Sequence, residues 1–134
     1  MENRRHAAAT RQAAFCMVFA STGGSYNGFD WQETIEAPVD EAHAKSLTDG
    51  VIAHLDALDA IIAKLSPEWR LGRLARTDLC IMRLALYEME YCELPPAIAI
   101  NEAVELAKSY GEDNSPVFIN GILSAYNRRA HEDN

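Results

Sequence analysis

Cysteine, proline and glycine are sparse in this 134-residue chain, which contains 3, 5 and 7 of them respectively. Three cysteines without a CxxC pair do not fit a secreted disulfide framework, so we expect a cytoplasmic protein. The low proline and glycine content excludes collagen-like and low-complexity sequence. The longest runs without charge, residues 12–29 and 94–101, are broken by Gly, Ser and Asn or are too short, so we predict no membrane span and no secretory signal.

Motifs of catalysis and of metal binding are also missing. The chain has no GxSxG, GxxxxGK[ST] or GxGxxG motif, and none of its four histidines has partner ligands at metal-binding spacing. Glu88 and Glu90 are two residues apart and would face away from each other on a helix. Cys16, Cys80 and Cys92 lie in apolar helical stretches, where small core residues are commoner than nucleophiles. We therefore predict no metal, no cofactor and no enzymatic activity.

What the chain does have is helical periodicity from end to end. Apolar residues recur at spacings of three and four, and no stretch alternates with period two, which indicates an all-α fold. Asp40, Thr77 and Ser115 are predicted N-caps, and Gly111 is predicted to end a helix in the left-handed conformation. These signals predict about seven helices, over residues 4–20, 31–35, 40–65, 68–76, 78–91, 98–110 and 116–130.

The segment 78–91 differs from the other predicted helices because it is apolar on nearly every side. A helix without a polar face is typically central and wrapped by its neighbours. The loop-forming residues near 66–70 divide the chain into an N-terminal half, about 1–66, and a C-terminal half, about 67–134. We interpret both halves as parts of one all-helical domain that spans residues 1–134.

The net charge of −8 does not favour a nucleic-acid partner, but the charges are unevenly distributed. Residues 30–59 contain eight acids and a single base, Lys45, whereas two other stretches are rich in arginine. Clustered arginines create the local positive potential that a polyanion needs. A solvated terminus and a solvated face paired with acids are the alternatives, and they stay open. The arginines are Arg4, Arg5 and Arg11 in one stretch and Arg70, Arg73, Arg76 and Arg83 in the other.

Phe118 is a third candidate feature, because it falls in the first turn of the helix predicted to open at Ser115-Pro116. An aromatic residue at such a position is usually part of the core. It can also be a platform on which an unpaired base stacks, with Asn114 and Ser115 beside it as hydrogen-bond partners. The sequence is compatible with both interpretations.

Five blocks of sequence between residues 83 and 123 form a specific pattern. In their order and spacing they resemble the NusB family of bacterial transcription antitermination factors, and the resemblance extends more loosely along the chain. It implies an all-helical fold of two small bundles packed across each other. The blocks are 83–89 (RLALYEM), Pro96, 99–111 (AINEAVELAKSYG), Ser115 and 118–123 (FINGIL).

The resemblance also implies a function. Members of the family bind the boxA element of nascent RNA together with the ribosomal protein NusE. The complex joins RNA polymerase and other Nus factors to suppress termination, notably on ribosomal RNA operons. By matching positions, the NusE surface would include Phe19, Arg76 and Asp78. The RNA surface would comprise Arg4, Arg5, Arg11, Gln12, Asp78, Asn114, Ser115 and Phe118.

This chain departs from the family pattern at three places. Gln12 stands where the family usually has glutamate, Met17-Val18-Phe19 replaces Ala-Leu-Tyr, and Asn114 replaces a residue that is commonly acidic. These changes concern contacts to NusE and to RNA. Together with the net charge, they leave open a second hypothesis, in which the protein is a homodimerising interaction module with little RNA affinity.

Overall fold

The structure, a computed structural model, describes residues 4–22, 31–66 and 74–132, and the side chains of 6–22, 31–66 and 74–130. These ranges contain seven α-helices and no strand, which confirms the predicted all-α class. Of the predicted arginine-rich helix 68–76, residues 68–73 lie outside the described ranges. The helices are α1 (Arg4–Thr22), α2 (Trp31–Thr34), α3 (Glu41–Ala53), α4 (Leu55–Leu65), α5 (Arg76–Tyr91), α6 (Pro96–Tyr110) and α7 (Ser115–Glu132).

The central helix is α5, as its apolar sequence predicted. It packs against α1, α3, α4, α6 and α7, while α1 also packs against α3 and α6 against α7. Ten of its 16 residues are buried. Leu84 and Leu86 are 1% and 0% exposed, and they belong to a hydrophobic cluster that includes Phe15 of α1 and Leu123 of α7. None of the helices in the described ranges is both long and apolar enough to cross a membrane.

The single helix predicted over 40–65 is wrong, because His54 interrupts it between α3 and α4. The backbone of His54 leaves the helical region at φ −114° and ψ 20°, and its ring Nδ1 lies 2.9 Å from the carbonyl oxygen of Gly50. The break lets α3 pack against α1 while α4 packs against α5 and α7. The predicted cap at the start of α3 is confirmed, because Asp40 Oδ1 accepts the backbone N–H of His43 at 3.0 Å.

Two other predicted helix starts are shifted. Helix α5 begins at Arg76 with Ala75 as its N-cap, so Thr77 is the second helical residue and not the cap. Helix α6 begins at Pro96, two residues before the predicted start, because the fixed φ of proline suits the first helical position.

The connection between α6 and α7 also differs from its prediction. Gly111 has φ −95° and ψ −169°, which is extended and not left-handed. Glycine is needed there for a close approach, since a Cβ at this position would lie 2.7 Å from Ser115 Cβ and Oγ. Ser115 is the first residue of α7, and its hydroxyl accepts the N–H of Glu112 at 2.9 Å instead of capping its own helix. The side chain therefore stabilises the loop that precedes α7.

Candidate functional site

Four of the predicted RNA-binding residues lie close together where α5 and α7 begin. Asp78 is in the first turn of α5, and its carboxylate accepts a hydrogen bond from the Ser115 hydroxyl. Asn114 is exposed, and its carbonyl accepts the N–H of Phe118 at 3.1 Å. We call these residues the α5–α7 cluster: Asp78, Asn114, Ser115 and Phe118.

The carboxyl group of Asp78 is the most unusual electrostatic feature of the α5–α7 cluster. The residue is 8% exposed, and its Oδ1 is buried without a hydrogen-bond partner. Burial raises the pKa of Asp78, the hydrogen bond from Ser115 lowers it, and the negative charge of Glu112 raises it further, with a net increase. An unsatisfied buried acceptor costs free energy unless a donor reaches it. Asp78 therefore carries an unsatisfied acceptor oxygen beneath the loop that connects α6 and α7.

Replacing Asp78 by asparagine is expected to raise the free energy of unfolding at pH 7 by about 1 kcal/mol, because the variant buries no charge. The pKa of Asp78 is higher in the folded than in the unfolded chain, so the wild type loses stability as the pH rises between those two values. The advantage of Asp78→Asn should therefore shrink as the pH falls toward the ordinary value of 3.8. Urea denaturation at several pH values measures it.

The matched control is Asp113→Asn, because Asp113 is exposed and lies in the loop between α6 and α7 that covers Asp78. This variant should change the free energy of unfolding by less than about 0.5 kcal/mol at every pH. A gain for Asp78→Asn that is independent of pH would contradict the prediction, since it could not come from the removed charge.

The Phe118 ring contacts the core on one side and is partly exposed at the surface. It is half-buried and packs against the hydrophobic cluster, so neither the core nor the platform interpretation is excluded. Val117, the preceding residue, is 78% exposed, which is the largest exposure of a big apolar side chain in the described part of the chain. Sequence reasoning overlooked Val117, because a valine in a helical pattern is ordinarily counted as core. The first turn of α7 therefore presents an apolar edge beside Asn114.

Arg11 is not the exposed cation that the sequence suggested. Its Nε donates to both carboxylate oxygens of Glu88, at 3.1 and 3.2 Å, and the two side chains are 14% and 6% exposed. Burial raises the pKa of Glu88, and the charge of Arg11 partly opposes that increase. The pair joins α1 to α5 across 77 residues of sequence. Arg11 is thus mainly a buried partner of Glu88 and not a solvated cation of the first arginine-rich stretch.

Gln12 lies next to that ion pair but at the surface. It lines a groove of about 600 Å³ between α1 and α6, together with Asn101 and Ser109. Lys108 also lines it and forms an ion pair with Glu105 at 2.9 Å. Because Ser109 is close to the C-terminal end of α6, the groove leads toward the loop that carries Asn114.

The predicted protein-partner residues Phe19 and Arg76 contact each other. The guanidinium carbon of Arg76 lies 3.9 Å from the centroid of the Phe19 ring, and its Nη2 donates to the Phe19 carbonyl oxygen at 2.7 Å. Phe19 is 8% exposed. Any partner at this place would meet Arg76 first, with Phe19 supporting it from below.

The second arginine-rich stretch, Arg70 to Arg83, does not form a solvated positive row where the structure describes it. Arg83 is buried and donates from Nε and Nη2 to Asp59 Oδ1 and Oδ2, at 2.7 and 2.8 Å, which ties α5 to α4. Arg76 is held by Phe19, as described above, so neither guanidinium belongs to a solvated row. Arg70 and Arg73 lie outside the described residues, as do the side chains of Arg4 and Arg5.

The remaining titratable side chains offer little chemistry. Across the described ranges, no group of three His, Cys, Asp or Glu side chains is placed to hold a metal ion. Cys16 and Cys80 are buried, as predicted, but Cys92 is exposed because it caps the C-terminal end of α5. The site is therefore a surface of polar and aromatic contacts.

Comparison with known proteins assigns this chain to a family. The NusB family model matches residues 8–128. The transcription antitermination protein NusB of Desulforudis audaxviator (strain MP104C) is 51% identical over 85 residues, which are 63% of this chain and 62% of that protein. The protein of the same name from Bacillus subtilis (strain 168) is 44% identical over 97 residues, 69% of this chain and 74% of that one. The chain thus spans less than two thirds of the length of the Desulforudis relative.

The fold agrees with these matches. A chain in the crystal structure of antitermination factors NusB and NusE in complex with double-stranded RNA superposes with a TM-score of 0.73 and 26% identity. The superposition covers 92% of this chain and 96% of that one. The family match, the sequence relatives and the fold all lead to the same assignment: this chain belongs to the NusB family.

Proposed function

We propose that this protein is a bacterial transcription antitermination factor that binds boxA RNA together with NusE. In this role it helps RNA polymerase and other Nus factors to read through terminators, notably in ribosomal RNA operons. It acts in the cytoplasm as a positioning adaptor and not as an enzyme. The similarity to a chain in the crystal structure of NusB and NusE with double-stranded RNA, over 92% of this chain, is the observation that carries the proposal.

Three features of the described residues support an RNA surface. The Phe118 ring can stack on an unpaired base while its inner edge stays in the core. Asp78 supports this surface from beneath, because its carboxylate accepts a hydrogen bond from Ser115 at the start of α7. The groove between α1 and α6 offers the polar groups of Gln12, Asn101 and Ser109 for hydrogen bonds to a strand, and Glu102 and Glu105 also line it.

Arginines of α1 supply phosphate contacts in this proposal. Arg4 and Arg5 are assigned that role, while Arg11 keeps Glu88 neutralised and so holds α1 in place. The NusE surface lies at the other end of α1, where Arg76 covers Phe19 beside Asp78. RNA and NusE would therefore share the region around the start of α5, which explains how each can strengthen the binding of the other.

A salt titration tests the proposed function. We expect the full-length protein to bind a boxA RNA oligonucleotide, more tightly in the presence of NusE, with log affinity falling linearly against log salt. Removing two phosphate contacts with Arg4→Ala/Arg5→Ala should flatten the slope by about 1.4. The control Arg128→Ala/Arg129→Ala removes two exposed charges from α7 and should leave the slope unchanged. A flat wild-type salt dependence, with concentration-dependent dimers, would instead support a homodimerising module.

Phe118→Ala is expected to lower boxA affinity by about 1–3 kcal/mol, which is the contribution of one base stacked on an aromatic ring. The salt slope should not change, because stacking releases no counterions. The ring is half-buried, so we also expect a loss of stability of about 2 kcal/mol, less than for a fully buried phenylalanine. RNA binding is therefore measured well below the melting temperature of the variant.

Ile98→Ala provides the control for Phe118→Ala, since Ile98 is a large apolar side chain that is 47% exposed in α6 and lies outside the α5–α7 cluster. It should keep the wild-type affinity and cost less than about 1 kcal/mol of stability. Normal RNA affinity of folded Phe118→Ala would assign the ring to the core alone.

A further inference from the structure

A groove of about 410 Å³ opens between α4, α5 and α7, near the C-terminal end of each helix. Its floor is apolar, because Ile61 and Leu65 lie one turn apart on α4, half-buried and packed against the hydrophobic cluster. Its rim is polar and receives side chains from all three helices. We call the following six residues the α4–α7 groove: Ile61, Lys64, Leu65, Glu90, Tyr126 and Arg129.

The α4–α7 groove lies on the side of α5 that faces away from α1. Glu88 and Glu90 are two residues apart, which places them about 200° apart around the helix axis. Glu88 points toward α1, where it pairs with Arg11, whereas Glu90 lines the groove with α4 and α7. None of the RNA-surface residues that the structure describes lines this groove. Its side chains therefore belong to a different face of α5 from the contacts with α1.

The rim of the groove carries more positive than negative charge, although the whole chain has a net charge of −8. Lys64 and Arg129 are exposed, and neither forms an ion pair with a described side chain. The single carboxylate of the groove, that of Glu90, accepts a hydrogen bond from the Tyr126 hydroxyl. Burial and this hydrogen bond raise the pKa of Tyr126, so its hydroxyl keeps the proton. The two cations are therefore the groups that the rim offers to an anion.

An apolar floor beneath two cations fits a ligand that has an apolar group next to a carboxylate. The volume of the groove is in the range of sites that bury a small ligand or a few side chains. An RNA strand has a phosphate at every nucleotide, so it would gain little from Ile61 and Leu65 and would be repelled by Glu90. A peptide segment with both acidic and apolar side chains gains from the floor and from the cations.

We propose that the α4–α7 groove binds an acidic segment of a protein partner. An apolar side chain of that segment packs on Ile61 and Leu65, and its carboxylates pair with Lys64 and Arg129.

The first test uses the protein without NusE or RNA, so its result does not depend on the proposed function. A capped peptide of sequence DELLDE is titrated, and amide NMR locates its site. We expect shifts at Ile61, Lys64, Leu65 and Arg129. The capped peptides SSLLSS and DEGGDE each lack one half of the recognition and should bind at least about threefold more weakly. Shifts that map elsewhere, or equal binding of DELLDE and DEGGDE, would overturn the proposal.

A pair of charge-matched variants separates binding in the groove from general attraction to cations. Lys64→Gln/Arg129→Gln should weaken DELLDE binding about fivefold, because two exposed ion pairs each make a modest contribution. Lys45→Gln/Arg128→Gln removes the same charge from exposed side chains outside the groove and should change the affinity less than about twofold. Arg128 directly precedes Arg129 in α7, so it also controls for charge near the groove. Equal losses in the two double variants would contradict the proposal.

RNA and a second copy of this chain are the other occupants that the experiment distinguishes. The boxA affinity of Lys64→Gln/Arg129→Gln should stay within about twofold of wild type. Groove resonances shifted by boxA RNA, or dimers that this variant abolishes, would assign the groove to RNA or to self-association and overturn the proposal. Melting curves identify a variant that does not fold. Ala130→Glu, at an exposed position that also lines the groove, then replaces it and should weaken DELLDE binding at least about threefold.

Discussion

Leu84→Ala is expected to lower the free energy of unfolding by about 2–5 kcal/mol, because truncating a buried leucine leaves a cavity that its neighbours fill only partly. Leu84 is 1% exposed in a helix that contacts five others, so the surroundings have little freedom to collapse. Leu86→Ala, at a position that is 0% exposed, should fall in the same range. Urea denaturation monitored by circular dichroism measures both variants.

Ile98→Ala is the control for these core substitutions. Ile98 is 47% exposed in the first turns of α6, so its truncation should cost less than about 1 kcal/mol. If Leu84→Ala and Leu86→Ala melted within a degree or two of the wild type, α5 would not be the helix that sets the stability of this chain.

Arg11→Ala should lower the free energy of unfolding as much as Leu84→Ala does, although replacing an arginine near the N-terminus ordinarily has little effect on stability. Removing the guanidinium leaves the Glu88 carboxylate, 6% exposed, without its partner, and breaking a buried ion pair in this way costs about 3–5 kcal/mol. Burial already raises the pKa of Glu88 with Arg11 present, so the variant should raise it further. The stability deficit should therefore become smaller as the pH is lowered and Glu88 takes up a proton.

Two comparisons identify the ion pair as the cause. Arg11→Met/Glu88→Met removes both charges and should recover most of the stability, because an apolar pair of similar volume carries no desolvation cost. Lys45→Ala breaks a pair whose side chains are 73% and 64% exposed, and it should cost less than about 1 kcal/mol. An Arg11→Ala variant as stable as Lys45→Ala would mean that Arg11 is a surface residue after all.

The local features of the fold were readable from the sequence. Helical periodicity, the apolar surface of α5 and the Asp40 cap all depend on residues within a few positions of each other. The prediction failed at His54, because the periodic stripe continues through it while the direction of the chain changes. Tertiary packing determines which helix each half of that stripe contacts, and the periodicity of the sequence does not predict it.

The candidate site divides in the same way. The resemblance to the family identified Asp78, Asn114, Ser115 and Phe118 by position, and the structure places them together at the start of α5 and α7. Their roles in RNA binding remain predictions. Val117 was missed because exposure of a single apolar residue has no signature in a helical pattern.

By itself, the sequence determined that this chain is all-helical, that α5 is central, and which family it resembles, since each of these follows from short-range patterns or motif spacing. Only the tertiary structure decided which charged side chains are buried in ion pairs and which are exposed. Arg11 forms an ion pair with Glu88, 77 residues away in the sequence, and Arg83 forms one with Asp59, 24 residues away. A guanidinium that looks solvated in the sequence becomes a buried partner when helix packing brings a carboxylate to it, because neither charge is stable in the interior alone.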